Sequence, residues 1–212
     1  SSIEWLKKLE KMCRDLDILL IIDDIQVGNG RTGNFFSFER AGITPDIITI
    51  SKSIGTGLPM AIVLMRPEID QWSPGEHTGT FRGNSLAFIA GATALKRWDN
   101  DEFAKEIRRK GELVEKRFRA IKARIPDHIS DVRGLGMIWG IESSIEGFCN
   151  EVSREAFEHG LLAETAGATD QVIKFLAPLT ISQAELDEGL DILEAAIEAT
   201  AAKNPTTKQE VT

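Results

Sequence analysis

An amine and a carboxylate stand just beyond two short apolar runs of the chain. Asp23 follows the run 18–22, and Lys52 follows the segment 46–50. If the two runs form neighbouring parallel strands, both side chains reach the same edge of the sheet, where ligands gather in such folds. A lysine amine there can form a Schiff base with an aldehyde cofactor, and a carboxylate can hold a pyridine nitrogen protonated. Gln26 is close enough in sequence to donate a hydrogen bond to the phenolic oxygen of such a ring.

Alternating helical and apolar-strand patterns surround these residues and predict an α/β fold. The run 18–22 contains no polar residue and therefore reads as a strand buried on both faces. Ser182 and Glu185 form a capping-box pattern that marks the start of the last helix. Predicted helices cover 3–16, 84–98, 101–124, 151–159 and 182–201, and further predicted strands cover 46–50, 60–65, 137–141 and 172–176.

The helix predicted over 101–124 is long enough to link two domains. We therefore expect a domain boundary near residue 100, between residues 1–100 and residues 101–201. The tail 202–212 lacks apolar periodicity and is expected to be disordered.

The composition argues against several classes of function. The chain has 212 residues, of which 42% are hydrophobic, enough for a globular core. Lys and Arg total 25 against 33 Asp and Glu, and the net charge of -8 disfavours nucleic acid as a partner. No apolar run approaches the roughly 20 residues of a membrane helix and no signal peptide opens the chain, so a soluble, cytoplasmic protein is expected. Cys13 and Cys149 lack the spacing of a disulfide framework or zinc site, and no metal is predicted.

The segment 21–33, with the sequence IIDDIQVGNGRTG, resembles the signature of the class III, or ornithine aminotransferase-like, aminotransferases. In that family a lysine follows the aspartate at the distance that separates Lys52 from Asp23 here. The resemblance implies an α/β protein of fold type I. Residues 1–100 would form the carboxyl-terminal part of the cofactor-binding large domain, with part of its mixed sheet, and residues 101–201 would form the small carboxyl-terminal α+β domain. It also implies pyridoxal 5'-phosphate as cofactor, with Lys52 and Asp23 as catalytic residues and Gln26 as a further cofactor contact.

Three more residues gain expected roles from the resemblance. Thr80 lies in the segment GTFRGN (79–84), which is similar to the family segment whose threonine reaches the cofactor phosphate of the other subunit. The resemblance therefore implies a homodimer, or a higher oligomer, with shared active sites. Arg82 stands where a glycine is common, and it is expected either to bind a substrate carboxylate or to pair with an acid at the interface. Lys174 stands where many relatives have a carboxylate-binding arginine, although a lysine binds only as a point charge.

The reaction implied by the resemblance transfers an amino group between two small molecules. The segments 67–77 and 81–84 are most similar to family members that use glutamate as donor and L-aspartate 4-semialdehyde as acceptor in ectoine biosynthesis. The products would be 2-oxoglutarate and L-2,4-diaminobutyrate, formed with ping-pong kinetics through the Lys52 aldimine. The loop 54–59 is slightly shorter than in the ectoine type. Siderophore or polyamine relatives, and omega-aminotransferases of ornithine or 4-aminobutyrate type, are therefore alternatives.

Members of the family are longer than this chain and supply the main phosphate-binding loop from their amino-terminal half. We therefore expect these residues to be the C-terminal half of a longer enzyme, which alone binds cofactor poorly. A different alternative is a noncatalytic aminotransferase-like fragment that acts as an interaction domain. Another takes Gly28, Gly30 and Gly33 as a dinucleotide-binding fingerprint, but the residues after Gly33 do not read as the helix that must follow.

Overall fold

Two compact units divide the chain in the computed structural model, which describes residues 1–80 and 82–204. The units are Ser1–Glu106 and Ile107–Thr212, and their boundary falls within one long helix. Phe81 and most of the tail that was expected to be disordered, from residue 205 onward, lie outside the described residues. The described residues of each unit form one sheet. The assignment of the units to a large and a small domain stays a prediction.

The first unit places a helix before a mixed sheet. Its elements are α1 (Ile3–Asp15), β1 (Ile21–Asp23), β2 (Ile47–Ile50), β3 (Ile62–Met65) and α2 (Ser85–Leu95). Helix α1 begins after Ser2, whose hydroxyl accepts the Trp5 N–H at 3.1 Å. The strand order is β1-β2-β3, with β1 parallel to β2 and β2 antiparallel to β3. The first unit therefore brings together the carboxyl ends of β1 and β2.

The prediction that the first strand is buried on both faces is wrong for the described structure. Strand β1 begins only at Ile21, and Ile18, Leu19 and Ile21 are 53%, 54% and 57% exposed. The physical reason is that a strand is buried on both faces only where other elements cover both sides of its sheet, and an apolar run does not specify that cover. Leu20 does point into the core, where it forms a cluster with Cys13, Phe38, Ala41 and Ile43.

One buried carboxylate ties the elements of the first unit together. Asp46, which is 3% exposed and directly precedes β2, accepts hydrogen bonds from the Leu20 N–H at 2.7 Å and from the Arg14 guanidinium at 2.6 Å. Its other oxygen accepts from the Arg66 guanidinium, just after β3, at 3.0 Å. Burial raises the pKa of Asp46, but the Leu20 N–H and the two arginines outweigh that effect and lower its pKa below the usual value.

The second unit combines an antiparallel sheet with three helical segments. Its elements are the remainder of α3 (Glu102–Arg124), β4 (Asp131–Leu135), β5 (Ile138–Glu142), α4 (Phe148–Glu158), β6 (Glu164–Ala166), β7 (Val172–Phe175) and α5 (Gln183–Lys203). The strand order is β4-β5-β7-β6, and every neighbouring pair is antiparallel. Helix α3 contacts the sheet through Phe118, whose ring packs edge-on to Phe175 with centroids 5.6 Å apart.

Two strands of this sheet, β4 and β6, are not predicted by the sequence pattern. Strand β4 is joined to β5 by a tight turn at Gly136, which has a φ of 56°, and β6 is only three residues long. The capping box is confirmed, because the Ser182 hydroxyl accepts the Glu185 N–H and the Glu185 carboxylate accepts the Ser182 N–H. Helix α5 ends at Lys203, so residues 202 and 203 are helical rather than part of a disordered tail.

Ion pairs join α3 to α5. The Arg117 Nε lies 2.5 Å from the Glu194 carboxylate, and Arg124 lies 2.8 Å from Glu194 and 3.0 Å from Glu198. Glu194 is largely shielded from solvent, so it links both arginines to α5. None of the helices in the described part of the chain is long and apolar enough to span a membrane.

Replacing Asp46 with Asn should lower the free energy of unfolding by about 2–3 kcal/mol at neutral pH, because an amide cannot accept the same charged hydrogen bonds. The folded pKa of Asp46 is lowered, so its contribution is complete above the unfolded pKa of about 3.9 and is lost as the pH falls further. Urea unfolding of the original chain and of Asp46→Asn, at neutral and at acidic pH, measures the difference between their free energies of unfolding. Asp15→Asn, which breaks an exposed pair with Lys11, is the control and should cost less than about 0.5 kcal/mol. If the difference between the original chain and Asp46→Asn grows as the pH falls, the stabilising role of the ionised Asp46 carboxylate is contradicted.

Gly111, in the middle of α3, approaches the turn between β4 and β5 closely. A Cβ atom at Gly111 would lie 2.4 Å from the Gly136 carbonyl oxygen, whereas one at Gly189 in α5 would lie 3.6 Å from the Leu161 side chain. Gly111→Ala should therefore lower the free energy of unfolding by about 1–3 kcal/mol despite its better helix propensity. Gly189→Ala, the matched control, should raise it by up to about 1 kcal/mol. Denaturant unfolding measures both free energies of unfolding. If Gly111→Ala and Gly189→Ala change them equally and in the same direction, the close contact at Gly111 is refuted.

Candidate active site

The carboxyl ends of β1 and β2 bring two of the predicted site residues to one edge of the first sheet. In the parallel register Asp23 stands opposite Thr49, and the Asp24 N–H donates to the Thr49 carbonyl at 2.9 Å. Strand β2 ends at Ile50, and Lys52 begins the turn that follows. Asp23 and Lys52 therefore leave neighbouring strands at the same edge.

The two adjacent aspartates have different surroundings. Asp23 is exposed, and its carboxylate accepts the Ile25 N–H at 3.0 Å. Asp24 is fully buried, and its carboxylate accepts the Ser37 backbone N–H at 2.9 Å and the Ser37 hydroxyl. The Asp24 carbonyl accepts the Gly28 N–H at 2.9 Å. Asp24 therefore anchors the glycine-rich loop, while Asp23 presents its carboxylate at the surface.

Gln26 lies in the turns of the glycine-rich loop, and its side chain is exposed. A Cβ atom at Gly28 would lie 2.6 Å from the Asp24 carbonyl oxygen, so this close approach requires glycine. The described residues after Gly33 form bends and turns and then the short 3-10 helix Glu39–Ala41, not an α-helix. The dinucleotide fingerprint needs a helix there, so that alternative is excluded.

Lys52 opens a 3-10 turn and has a φ of 53°, in the left-handed region. This conformation costs a residue other than glycine about 1–2 kcal/mol, so the contacts around it must hold it in place. The Ser51 hydroxyl donates to the Met60 carbonyl at 2.7 Å, and the Asn29 side-chain amide donates to the Ser51 carbonyl at 3.3 Å. The Lys52 side chain itself is exposed.

Helix α2 lies directly against the turn that Lys52 begins. The Asn84 side chain caps this helix by accepting the Leu86 N–H at 2.8 Å. A Cβ atom at Gly91 would lie 2.8 Å from the Ile54 carbonyl oxygen and 3.4 Å from the Met60 methyl group. The absence of a side chain at Gly91 therefore lets the helix support the turn from behind.

Thr80 and Arg82 lie in the exposed segment before α2. The Arg82 guanidinium donates to the His77 carbonyl, and the His77 ring lies 5.4 Å from the Trp72 ring, measured between centroids. Phe81, between them, lies outside the described residues. In the described part of the chain, no hydrogen bond or ion pair joins Thr80 or Arg82 to the three site residues of the sheet edge and loop.

Lys174 belongs to the second unit, on β7, directly opposite Glu164 of β6. Its Nζ lies 2.6 Å from the Glu164 carboxylate, and the Lys174 side chain is 22% exposed. A substrate carboxylate at Lys174 would therefore compete with Glu164. Lys174 also lines a cavity of about 370 Å³, whose walls include Leu161, Leu176, Pro178, Leu186 and Leu193. The described residues contain no group of three or more His, Cys, Asp or Glu that could hold a metal ion.

Asp24, Asn29 and Ser51 shape the site through contacts that the sequence does not predict. The partner of Asn29 is a carbonyl 22 positions away, and the partner of Ser51 is nine positions away. Both pairings depend on the folded chain. A signal for Asn29 was present, because asparagine between two glycines suits a left-handed backbone position.

Comparisons with known proteins cover most of the chain. The family model described as class III aminotransferase matches residues 1–197. Diaminobutyrate--2-oxoglutarate transaminases from Oceanobacillus iheyensis and Wolinella succinogenes are 52% and 54% identical over 96% and 92% of this chain. The chain covers 48% and 45% of those proteins, so it spans about half of their length.

Solved structures show the same fold. N-acetylornithine aminotransferase from Stenotrophomonas maltophilia is 32% identical, with a TM-score of 0.81, over 93% of this chain and 52% of that one. An ornithine aminotransferase from Toxoplasma gondii, with partial occupancy of pyridoxal phosphate at its active site, is 27% identical, with a TM-score of 0.84, over 95% and 48%. The fold is that of the fold type I transferases, and the cofactor of the family is pyridoxal 5'-phosphate. This chain belongs to the class III aminotransferases.

Proposed function

We propose that this chain carries the catalytic lysine of an enzyme that transfers an amino group from glutamate to L-aspartate 4-semialdehyde. The products are 2-oxoglutarate and L-2,4-diaminobutyrate. The observation that carries the proposal is the placement of Asp23 and Lys52 at the carboxyl ends of neighbouring parallel strands. The names of the two transaminases described above support this choice of reaction.

The groups at this edge of the sheet fit pyridoxal phosphate. When bound, this cofactor supplies an aldehyde that carries the amino group and a ring that withdraws electrons. The exposed Lys52 amine can attach to the aldehyde carbon, and the Asp23 carboxylate can keep the ring nitrogen protonated. The exposed Gln26 amide can donate to the phenolic oxygen.

Lys52 also serves as the acid–base group. With the amino donor bound, the Lys52 amine would accept a proton from the reacting carbon of the substrate and return one, while the cofactor ring would supply the electron withdrawal. The left-handed turn places Lys52 directly after β2, at the same edge of the sheet as Asp23. The first product leaves before the acceptor enters, so the kinetics are ping-pong.

Arg82 and Lys174 are the proposed carboxylate-binding residues. Each already has a partner, because Arg82 donates to the His77 carbonyl and Lys174 pairs with Glu164. Both His77 and Glu164 are exposed, so a substrate carboxylate can displace them at little cost in desolvation. Carboxylate recognition in this proposal therefore relies on replacing weak surface contacts.

We propose that an amino-terminal half, as in the longer relatives, completes this site. Ile18, Ile21, Leu86 and Ile89 are between 53% and 67% exposed, so these apolar side chains are available to pack against such a half. The half-length match to the relatives supports the same proposal. The assembled enzyme is a cytoplasmic homodimer or higher oligomer in which Thr80 reaches the cofactor phosphate of the other subunit.

A second class of amino donor is the alternative, and one structural neighbour favours it. The Toxoplasma gondii enzyme is named an ornithine aminotransferase, and its fold matches this chain closely. Amino transfer from ornithine is therefore the alternative reaction, and transfer from 4-aminobutyrate is the related alternative implied by the family resemblance. A panel of donors and acceptors distinguishes the two, since the proposal requires higher kcat/KM with aspartate 4-semialdehyde as acceptor than with any other aldehyde.

Cofactor attachment tests the proposal directly. The chain, alone and joined behind the amino-terminal half of the Oceanobacillus iheyensis relative, is incubated with pyridoxal phosphate, reduced with borohydride and mapped by mass spectrometry. We expect a visible absorbance band and a stable adduct on Lys52 in the joined protein, and much less adduct in the chain alone. Lys52→Ala should lose the adduct and reduce transamination by at least about 10²-fold, whereas exposed Lys96→Ala should do neither. A folded joined protein that stays unmodified at Lys52 would favour a noncatalytic interaction domain instead.

The two adjacent aspartates offer a matched pair of variants. Asp24→Asn should lower the free energy of unfolding by about 2 kcal/mol, because a fully buried carboxylate loses its hydrogen bonds with Ser37. Asp23→Asn should change it by less than about 0.5 kcal/mol, since Asp23 is exposed. Asp23→Asn should instead reduce transamination by the joined protein by about 10²-fold or more. Denaturant unfolding and initial rates measure the two effects, and a stable, fully active Asp23→Asn enzyme would remove Asp23 from the mechanism.

A further inference from the structure

Asn29 occupies a position with two energetic disadvantages. Its backbone has a φ of 54°, in the left-handed region that side chains other than glycine avoid. It is 7% exposed, and its Oδ1 has no hydrogen-bond partner in the described part of the chain. Buried polar atoms are normally satisfied, so an asparagine here needs a compensating role. A glycine at position 29, between Gly28 and Gly30, would adopt this backbone without burying a polar side chain.

The contact that Asn29 does make is with the peptide next to Lys52. Its side-chain amide donates to the Ser51 carbonyl at 3.3 Å, across 22 positions of sequence. The Ser51 hydroxyl donates to the Met60 carbonyl at 2.7 Å. Ser51 is therefore held from two sides, by the glycine-rich loop through its carbonyl and by the chain before β3 through its hydroxyl.

The Ser51 carbonyl and the Lys52 nitrogen belong to one rigid peptide plane. The direction of that carbonyl depends on the backbone rotations on either side of the plane, one of which is the φ of Lys52. If Lys52 relaxed from its φ of 53° to the ordinary right-handed region, the plane would rotate and the carbonyl would leave the Asn29 amide. The hydrogen bond and the left-handed turn therefore stabilise each other.

We propose that Asn29 is a positioning residue that holds the Ser51–Lys52 peptide in the left-handed turn from which the Lys52 amine is presented. Asparagine suits this role because it tolerates a left-handed backbone and carries a side-chain donor. Glycine tolerates the backbone but has no donor, and aspartate has acceptor atoms only when ionised. The consequence for catalysis rests on the proposed function of Lys52, but the conformational role does not.

The conformational role is tested in the full 212-residue chain without cofactor. Asn29→Gly and Asn29→Asp are compared with the original chain by NMR, using ¹³C labels on the Ser51 carbonyl and the Lys52 Cα. Both variants should lose the left-handed chemical-shift signature of Lys52 and shift the Ser51 carbonyl signal. Thr32→Val is the matched control, because it removes the Thr32 hydroxyl, another buried loop atom that has no hydrogen-bond partner, and hence none in Ser51, among the described residues.

The outcomes of the NMR experiment are decisive in either direction. Asn29→Gly relieves backbone strain in the loop, so the first unit should stay folded, and unchanged backbone amide signals from α1 and β3 of the same unit confirm that it does. If Lys52 keeps its left-handed signature in Asn29→Gly, the proposal is overturned. An equal shift in Thr32→Val would also overturn it, because the effect would then belong to the loop as a whole.

Cofactor attachment supplies the second readout. In the joined protein, the fraction of Lys52 trapped by pyridoxal phosphate and borohydride should fall about 3- to 10-fold in Asn29→Gly, the range expected for one net hydrogen bond. The pH at which trapping is half-maximal should also move, a change that lower stability alone would not produce. Trapping that is unchanged while the Lys52 signals shift would overturn the link to catalysis. If the original sequence gives no adduct at all, the proposed function fails, and the NMR signals alone decide the role of Asn29.

Discussion

The first unit depends on the buried carboxylate of Asp46. Its two oxygens hold the last turn of α1 through Arg14, the approach to β1 through Leu20 and the chain after β3 through Arg66. A carboxylate this deeply buried needs such partners, because an unpaired charge in its place would cost several kcal/mol. Asp46 also donates its N–H to the Leu20 carbonyl at 2.8 Å, which fixes where β2 begins relative to β1. One group therefore sets the positions of four elements.

The register of β1 against β2, which is fixed at their amino ends, decides which groups meet at their carboxyl ends. With Ile21 opposite Ile47, the parallel ladder brings Asp23 opposite Thr49, and Lys52 leaves the next strand shortly afterwards. An antiparallel pairing of the same two strands would separate their carboxyl ends by the length of the strands. The structural cluster at Asp46 and the candidate site at Lys52 therefore lie at opposite ends of the same pair of strands. The pairing fixed at one end therefore carries through the ladder to the other.

Much of this arrangement could be predicted from sequence where the signal is local. The amphipathic spacing of α1 and α3, the capping box at Ser182 and the apolar runs before Asp23 and Lys52 each depend on neighbouring residues. The predictions failed where distant parts of the chain decide the outcome. Strand β6 has only three residues and forms because β7 lies beside it. The burial expected for the first strand depends on what covers the sheet, which an apolar run cannot specify.

The pair Asp23–Asp24 shows why residue type alone does not identify a site. Successive side chains at the end of a strand point to opposite faces, so one carboxylate turns towards the Ser37 backbone and the other towards solvent. A slip of one residue in the pairing with β2 would exchange their environments and bury the carboxylate proposed to hold the cofactor ring. The roles of these two identical residues are therefore assigned by strand register. Because Asp46 fixes that register, a buried group at the far end of the strands determines which aspartate is available for chemistry.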